Sequence, residues 1–101
     1  MPLDPENLTI QNNEAEHRFE THVGEQIAVL EYTRATGLIV YNHTEVPSSL
    51  EGQGIASQLA KTALEYARDQ NLKVMPLCPY VAAYIRRHPE YREIVQPGFN
   101  V

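Results

Sequence analysis

A chain of 101 residues that is 43% hydrophobic and 21% charged has the material for one compact domain, and a chain of that length buries roughly 60 to 70% of its unfolded surface. The same length excludes a barrel of eight βα units, a complete two-half dinucleotide fold and a long repeat array, each of which needs about twice as many residues or more. Eight basic against 13 acidic residues leave a formal charge of −5, so the long-range field repels phosphate and argues against nucleic-acid or membrane-surface partners.

The opening Met1-Pro2-Leu3-Asp4-Pro5-Glu6 has neither the basic start nor the apolar stretch of a signal peptide, and no apolar run approaches the roughly 18 residues of a membrane span. A soluble cytoplasmic protein is expected. With one cysteine, Cys78, there is no internal disulfide and no thiolate cluster. The histidines His17, His22, His43 and His88 are scattered without a His-x-x-x-His pair, so no metal site is expected.

In chain order, residues 8–46 read as four extended segments divided by turn signals. The first two cover about 8–12 and 16–22, ending at Asn12-Asn13 and before Gly24. In the third, about 26–34, Ile27, Val29, Glu31 and Thr33 share one face, and Ala28, Leu30, Tyr32 and Arg34 the other. Thr36-Gly37 marks a tight reversal into a fourth strand over 38–46, rich in β-branched and aromatic residues. An antiparallel meander follows from this order.

After Pro47 the period changes. Ile55, Leu59, Ala60, Ala63, Leu64 and Ala67 recur at helical spacing between Gly54 and Gln70, with Asn71 as the stop. Residues 72–77 read as a fifth strand interrupted by Pro76, and residues 80–88 as a short helix ended before Pro89. The stretch 90–101 reads as a last extended piece and a tail. The whole is a single α/β domain with its core at about 8–95.

The fourth strand, long helix and fifth strand make a βαβ unit, whose right-handed crossover sets the two strands parallel. Their carboxyl ends, Val46 and Cys78, then lie at one sheet edge with the helix start at Gly52 to Ala56, where ligands of open α/β sheets bind. Gly52-Gln53-Gly54-Ile55-Ala56 follows a strand and opens an amphipathic helix. Small residues there let backbone approach closely, and unpaired helix-start amides suit phosphate oxygens. A glycine helix cap is the plainer alternative. The stretch is neither a P-loop, since Lys61-Thr62 sits well inside the helix, nor a dinucleotide fingerprint, since the third glycine is absent.

Here the sequence resembles the GNAT N-acetyltransferase superfamily. The family fingerprint, Gln or Arg, two free positions, Gly, one free position, then Gly or Ala, maps onto Glu51-Gly52-Gln53-Gly54-Ile55-Ala56, with Glu51 as the departure. His43-Thr44-Glu45-Val46-Pro47, Val74-Met75-Pro76-Leu77-Cys78-Pro79-Tyr80-Val81 and Arg86-Arg87-His88-Pro89-Glu90-Tyr91 look like its small single-domain, YjdJ-type branch. The resemblance covers about residues 8–95. It implies an acetyl-coenzyme A-dependent transfer to an amine, a small amine or a protein lysine. Pyrophosphate would lie on the amides of Gly52, Gln53, Gly54, Ile55 and Ala56, and the pantetheine would run beside Val46. A monomer or weak homodimer is expected.

Acetyl transfer to an amine requires a deprotonated nucleophile and a proton for the departing thiolate. Tyr41, His43 and Glu45 alternate onto one strand face, which makes His43 or Glu45 a candidate base, or a solvated strand residue. Tyr84 occupies the helix position that in the resembling superfamily often holds a tyrosine near the cofactor sulfur; packing with Val81, Ile85 and His88 is the alternative. Cys78, at a strand end before a helix start, is placed to orient the thioester, donate a proton or carry acetyl, or to pack as a small core residue. Arg86 and Arg87 read as a solvated helix end. Two other classes stay open: a coenzyme A or acyl-thioester sensor without turnover, and an interaction module that ignores the cofactor.

Overall fold

The computed structural model describes residues 8–101. Five strands, β1 (Ile10–Asn13), β2 (Arg18–Val23), β3 (Gln26–Ala35), β4 (Leu38–Glu45) and β5 (Lys73–Pro76), lie side by side in sequence order. The first four pair antiparallel, and β5 pairs parallel with β4. The helix α1 (Ile55–Asp69) makes the crossover, and α2 (Pro79–Arg87) follows β5. The α/β arrangement expected from the alternating periods is therefore the one found.

Local chemistry explains most boundaries. β2 starts at Arg18, two residues later than expected, because Glu14–Glu16 form a short 3-10 turn and His17 takes a left-handed conformation with φ 56°. Ala35 pairs directly with Leu38, leaving Thr36-Gly37 as a two-residue hairpin turn in which only the second residue, Gly37 at φ 69°, is left-handed, a conformation glycine adopts without steric cost. α1 ends in a Schellman motif. Asn71 is left-handed at φ 58°, its N–H donates to the Arg68 carbonyl at 3.1 Å, and the Leu72 N–H donates to that of Ala67 at 2.8 Å.

One expectation fails. Residues 90–101 do not begin as an extended piece: Pro89–Ile94 form a 3-10 helix that buries Tyr91. Only afterwards does Val95 bridge Val74 in parallel, with the Gln96 N–H donating to the Val74 carbonyl at 2.8 Å. Proline at the first helical position favours the turn, and the Tyr91 hydroxyl donates to Glu65 at 2.6 Å.

Both helices pack on one sheet face. Phe19, Leu30, Ile39 and Tyr41 meet Leu59, Ala63 and Leu64 of α1 and Val81 and Ile85 of α2, all fully or almost fully buried. The alanines at Ala60, Ala63 and Ala67 bring α1 close to the strands, and the buried Tyr41 hydroxyl donates to the Ala63 carbonyl. The opposite face is polar around β2. There the buried Glu20 carboxylate accepts from Arg18 Nε at 2.8 Å and Asn13 Nδ2 at 2.9 Å, with His22 Nε2 also at 2.8 Å. No described helix is long and apolar enough to cross a membrane.

Candidate active site

The site originates in two interruptions of the sheet. Glu31 pairs with His43 but the next residue, Tyr32, pairs with Tyr41, so Asn42 is the extra residue of a β-bulge in β4. A bulge reverses which side chains face in. Tyr41 stays on the helix side, and beyond the bulge it is Thr44 that turns inward, its hydroxyl 3.2 Å from Cys78 Sγ. The second interruption is Pro76, the last residue of β5 to pair with β4, opposite Tyr41; proline has no N–H to extend a ladder. The Cys78 N–H donates to the Tyr41 carbonyl at 2.8 Å, after which the two strands part.

A cavity of about 430 Å³ occupies the resulting wedge. Thr44 and Val46 form its β4 wall, Tyr80 at the start of α2 faces them, and Leu50 lines it from the 3-10 turn Ser48–Leu50. The rest of the lining is Glu51, Gly52, Gly54 and the first turn of α1, Ile55, Ala56 and Ser57. Gly54 caps α1 in the left-handed region at φ 82°, with no side chain capping the helix. The first i→i−4 closure is Gln58 N–H onto the Gly54 carbonyl at 3.1 Å. The amides of Ile55, Ala56 and Ser57 therefore lack intrahelical partners, and they stand at the cavity with the positive end of the helix dipole behind them. An anionic group fits there. The first turn of α1 carries no acidic residue.

The chain as a whole is similar to known proteins. The family model of the GCN5-related N-acetyltransferases matches residues 18–94. The chain belongs to the GCN5-related N-acetyltransferase family. It is 41% identical over 73 residues to Protein NATD1 of Gallus gallus and of Mus musculus, a match covering 69% of this chain and 66% of each relative, slightly under two thirds of their length. A GCN5-like protein from Staphylococcus aureus, solved by NMR in solution, superposes with a TM-score of 0.71 at 28% identity, covering 93% of this chain and 92% of the other.

Within this GCN5-related domain, the cofactor-binding candidates Val46, Gly52, Gly54, Ile55 and Ala56 all line the cavity. Gln53 does not; its side chain turns away and donates to the Ser49 carbonyl at 3.4 Å. Among the catalytic candidates the bulge overturns one geometric expectation: Tyr41, His43 and Glu45 do not share a face, because Asn42 puts Tyr41 in the core and leaves His43 and Glu45 exposed. Neither of those two lines the cavity. Tyr84 is buried on the inner side of α2, stacked on His88 at 4.2 Å between ring centres and 6.1 Å from Tyr91, and burial pushes its hydroxyl pKa up. Cys78 is 2% exposed and does not line the cavity; its sulfur lies 3.2 Å from the hydroxyl of Thr44, which does.

Sequence reasoning missed Thr44, Leu50, Ser57 and Tyr80. Ser57 could have been found as the third residue of the first helical turn, and Tyr80 from Pro79, which fixes where α2 begins. Nothing in the sequence marks the bulge that turns Thr44 inward. Among the described residues no group of His, Cys, Asp and Glu side chains is arranged to hold a metal ion.

Proposed function

We propose that the protein transfers an acetyl group from acetyl-coenzyme A to an amine. The observation that carries this reading is the continuity of the strand wedge with the uncapped start of α1. The amides of Ile55, Ala56 and Ser57 receive the pyrophosphate, helped by the Ser57 hydroxyl. The backbone of β4 at Thr44 and beyond at Val46 guides the pantetheine, and the thioester lies toward Thr44 and Cys78. A cavity of about 430 Å³ suits the pantetheine arm, with the adenosine outside.

Transfer is direct in this reading. The amine nitrogen forms a bond to the thioester carbonyl carbon, the carbon–sulfur bond breaks, and the nitrogen loses one proton while the coenzyme A sulfur gains one. Thr44 is the hydroxyl nearest the point of departure. The lining contains no histidine or lysine, and its one carboxylate, Glu51, stands at the helix start; the amine therefore arrives already neutral or loses its proton through water.

That same lack of a histidine in the lining, whose one carboxylate, Glu51, stands at the helix start, favours a second reading, in which the domain binds coenzyme A or an acyl thioester as a sensor without turnover. One pair of measurements separates them. Calorimetric titration with coenzyme A tests the cofactor site, and no heat at millimolar cofactor removes both readings. Thiol release from acetyl-coenzyme A is then followed with polyamines, lysine peptides and small amines. Saturable binding with no amine-dependent release favours the sensor.

A further inference from the structure

Glu51, which stands where the family fingerprint has Gln or Arg, carries an inference that rests on the cofactor reading above. Its backbone is extended, with φ −63° and ψ 151°, and its N–H is already used by the Ser48 carbonyl at 3.3 Å. It can therefore offer a phosphate no amide, only its side chain. That side chain is exposed at the cavity, and among the described residues it forms no ion pair. The lining includes no Lys, Arg or His. The basic side chains nearest in the fold stand outside the lining: Lys61 borders a separate groove against β1 and β2, and Arg87, in the last turn of α2, holds its guanidinium 5.9 Å from the ring centre of Tyr80, on the cavity wall that faces β4.

The charge balance at the phosphate end is consequently unusual. A helix start contributes about half a positive charge, and that influence fades within the first turn. Glu51 contributes a full negative charge, on a chain that is already at −5. We infer that Glu51 is a specificity-determining residue that limits coenzyme A affinity, so that the diphosphate is bound by neutral amide donors against a neighbouring carboxylate. The consequence runs opposite to that of a cationic phosphate clamp. Salt, which weakens attraction between Lys or Arg and phosphate, here screens a net repulsion and tightens binding. The part of the ligand without phosphate does not feel the effect.

The test compares coenzyme A with pantetheine, by calorimetry, on the wild-type protein and on Glu51→Gln and Glu51→Arg. Across water, a carboxylate about two hydrogen-bond lengths from a doubly charged diphosphate weakens binding by about three- to tenfold. Glu51→Gln is expected to tighten coenzyme A by about that factor and Glu51→Arg by more, with pantetheine changed by less than about twofold. Wild-type affinity for coenzyme A is expected to rise between low and physiological salt, and that of Glu51→Arg to fall. A Glu51→Gln protein no tighter for coenzyme A, equal tightening for pantetheine, or salt-weakened binding by the wild type each overturns the inference while the cofactor reading survives. Absence of coenzyme A binding by all three proteins removes the cofactor reading itself.

Discussion

The Thr44 hydroxyl lies 3.2 Å from the Cys78 sulfur, across the gap where β4 and β5 separate. Thr44 faces the cavity and Cys78 stands behind it, 2% exposed. A sulfur screened in this way is poorly placed to attack a thioester, so Cys78→Ala is expected to keep coenzyme A affinity within about threefold and to lower kcat by less than the roughly hundredfold that losing an essential proton-transfer group costs. The stability cost is about 1 kcal/mol, for a small void in the core. Steady-state kinetics and intact mass spectrometry after mixing with acetyl-coenzyme A check this. An inactive variant, together with an acetyl adduct on Cys78 of the wild type, would establish a covalent carrier instead.

The two tyrosines of α2 should part company on mutation. Tyr80 lines the cavity, with the Arg87 guanidinium 5.9 Å from its ring centre. Tyr84 is sandwiched with His88 and Tyr91. Tyr80→Ala removes a wall of the cavity proposed to hold the pantetheine and is expected to weaken coenzyme A by about tenfold while leaving the fold intact. Tyr84→Phe keeps the packing ring, so coenzyme A affinity and turnover should stay within about threefold. A hundredfold loss of kcat in Tyr84→Phe, with unchanged cofactor affinity, would return that hydroxyl to the reaction.

How much of this was legible in the sequence depends on the range of the cause. The third-strand alternation of Ala28, Leu30 and Tyr32, the α1 stripe from Ile55 to Ala67 and the stop at Asn71 are set by neighbours within a few positions, and all appear in the structure. The glycine loop was readable for the same reason: Gly54 sits where the chain must turn left-handed before a helix. The bulge at Asn42 was not, because it is a property of two strands in register and not of either alone. A one-residue slip flips every side chain beyond it, which is why simple alternation put His43 and Glu45 on the face of Tyr41 and Thr44 on the other. The 3-10 turn at Pro89–Ile94 depends likewise on a distant partner, Glu65, for Tyr91.

Gly54→Ala tests the proposed phosphate cradle without altering charge. At φ 82° an alanine is strained by about 1 to 2 kcal/mol, and relaxing that strain rotates the amides of the first helical turn away from the cavity. Coenzyme A binding is expected to weaken by about tenfold or more, with a Tm loss of a few degrees. Gly24→Ala provides the comparison. It is also left-handed, at φ 61°, with nothing within 4 Å of an added Cβ, and lies in the turn between β2 and β3. It should therefore lose similar stability and no cofactor affinity. Equal affinity losses in the two variants would mean that the glycine loop acts only through stability.

Glu20 makes the fold acid-sensitive on the face away from the helices. Hydrogen bonds from His22, Arg18 and Asn13, in that order of strength, hold its carboxyl at about 2, against the usual 4.5. A carboxylate with a lowered folded-state pKa contributes stability that is complete above its unfolded value and is lost as pH falls from there toward the folded value. The window for Glu20 is therefore about pH 4.5 down to about 2. Glu20→Gln removes the charge but keeps the shape, and at neutral pH it is expected to cost about 1 to 2 kcal/mol, reduced from the full shift because Arg18 and His22 remain in contact with water. Urea unfolding of both proteins across this range checks the sign. The difference in stability should be constant above about pH 5 and shrink steadily on acidification. A difference that grows as the solution becomes more acidic would mean that Glu20 is protonated in the folded protein, and that His22 and Arg18 do not hold its charge.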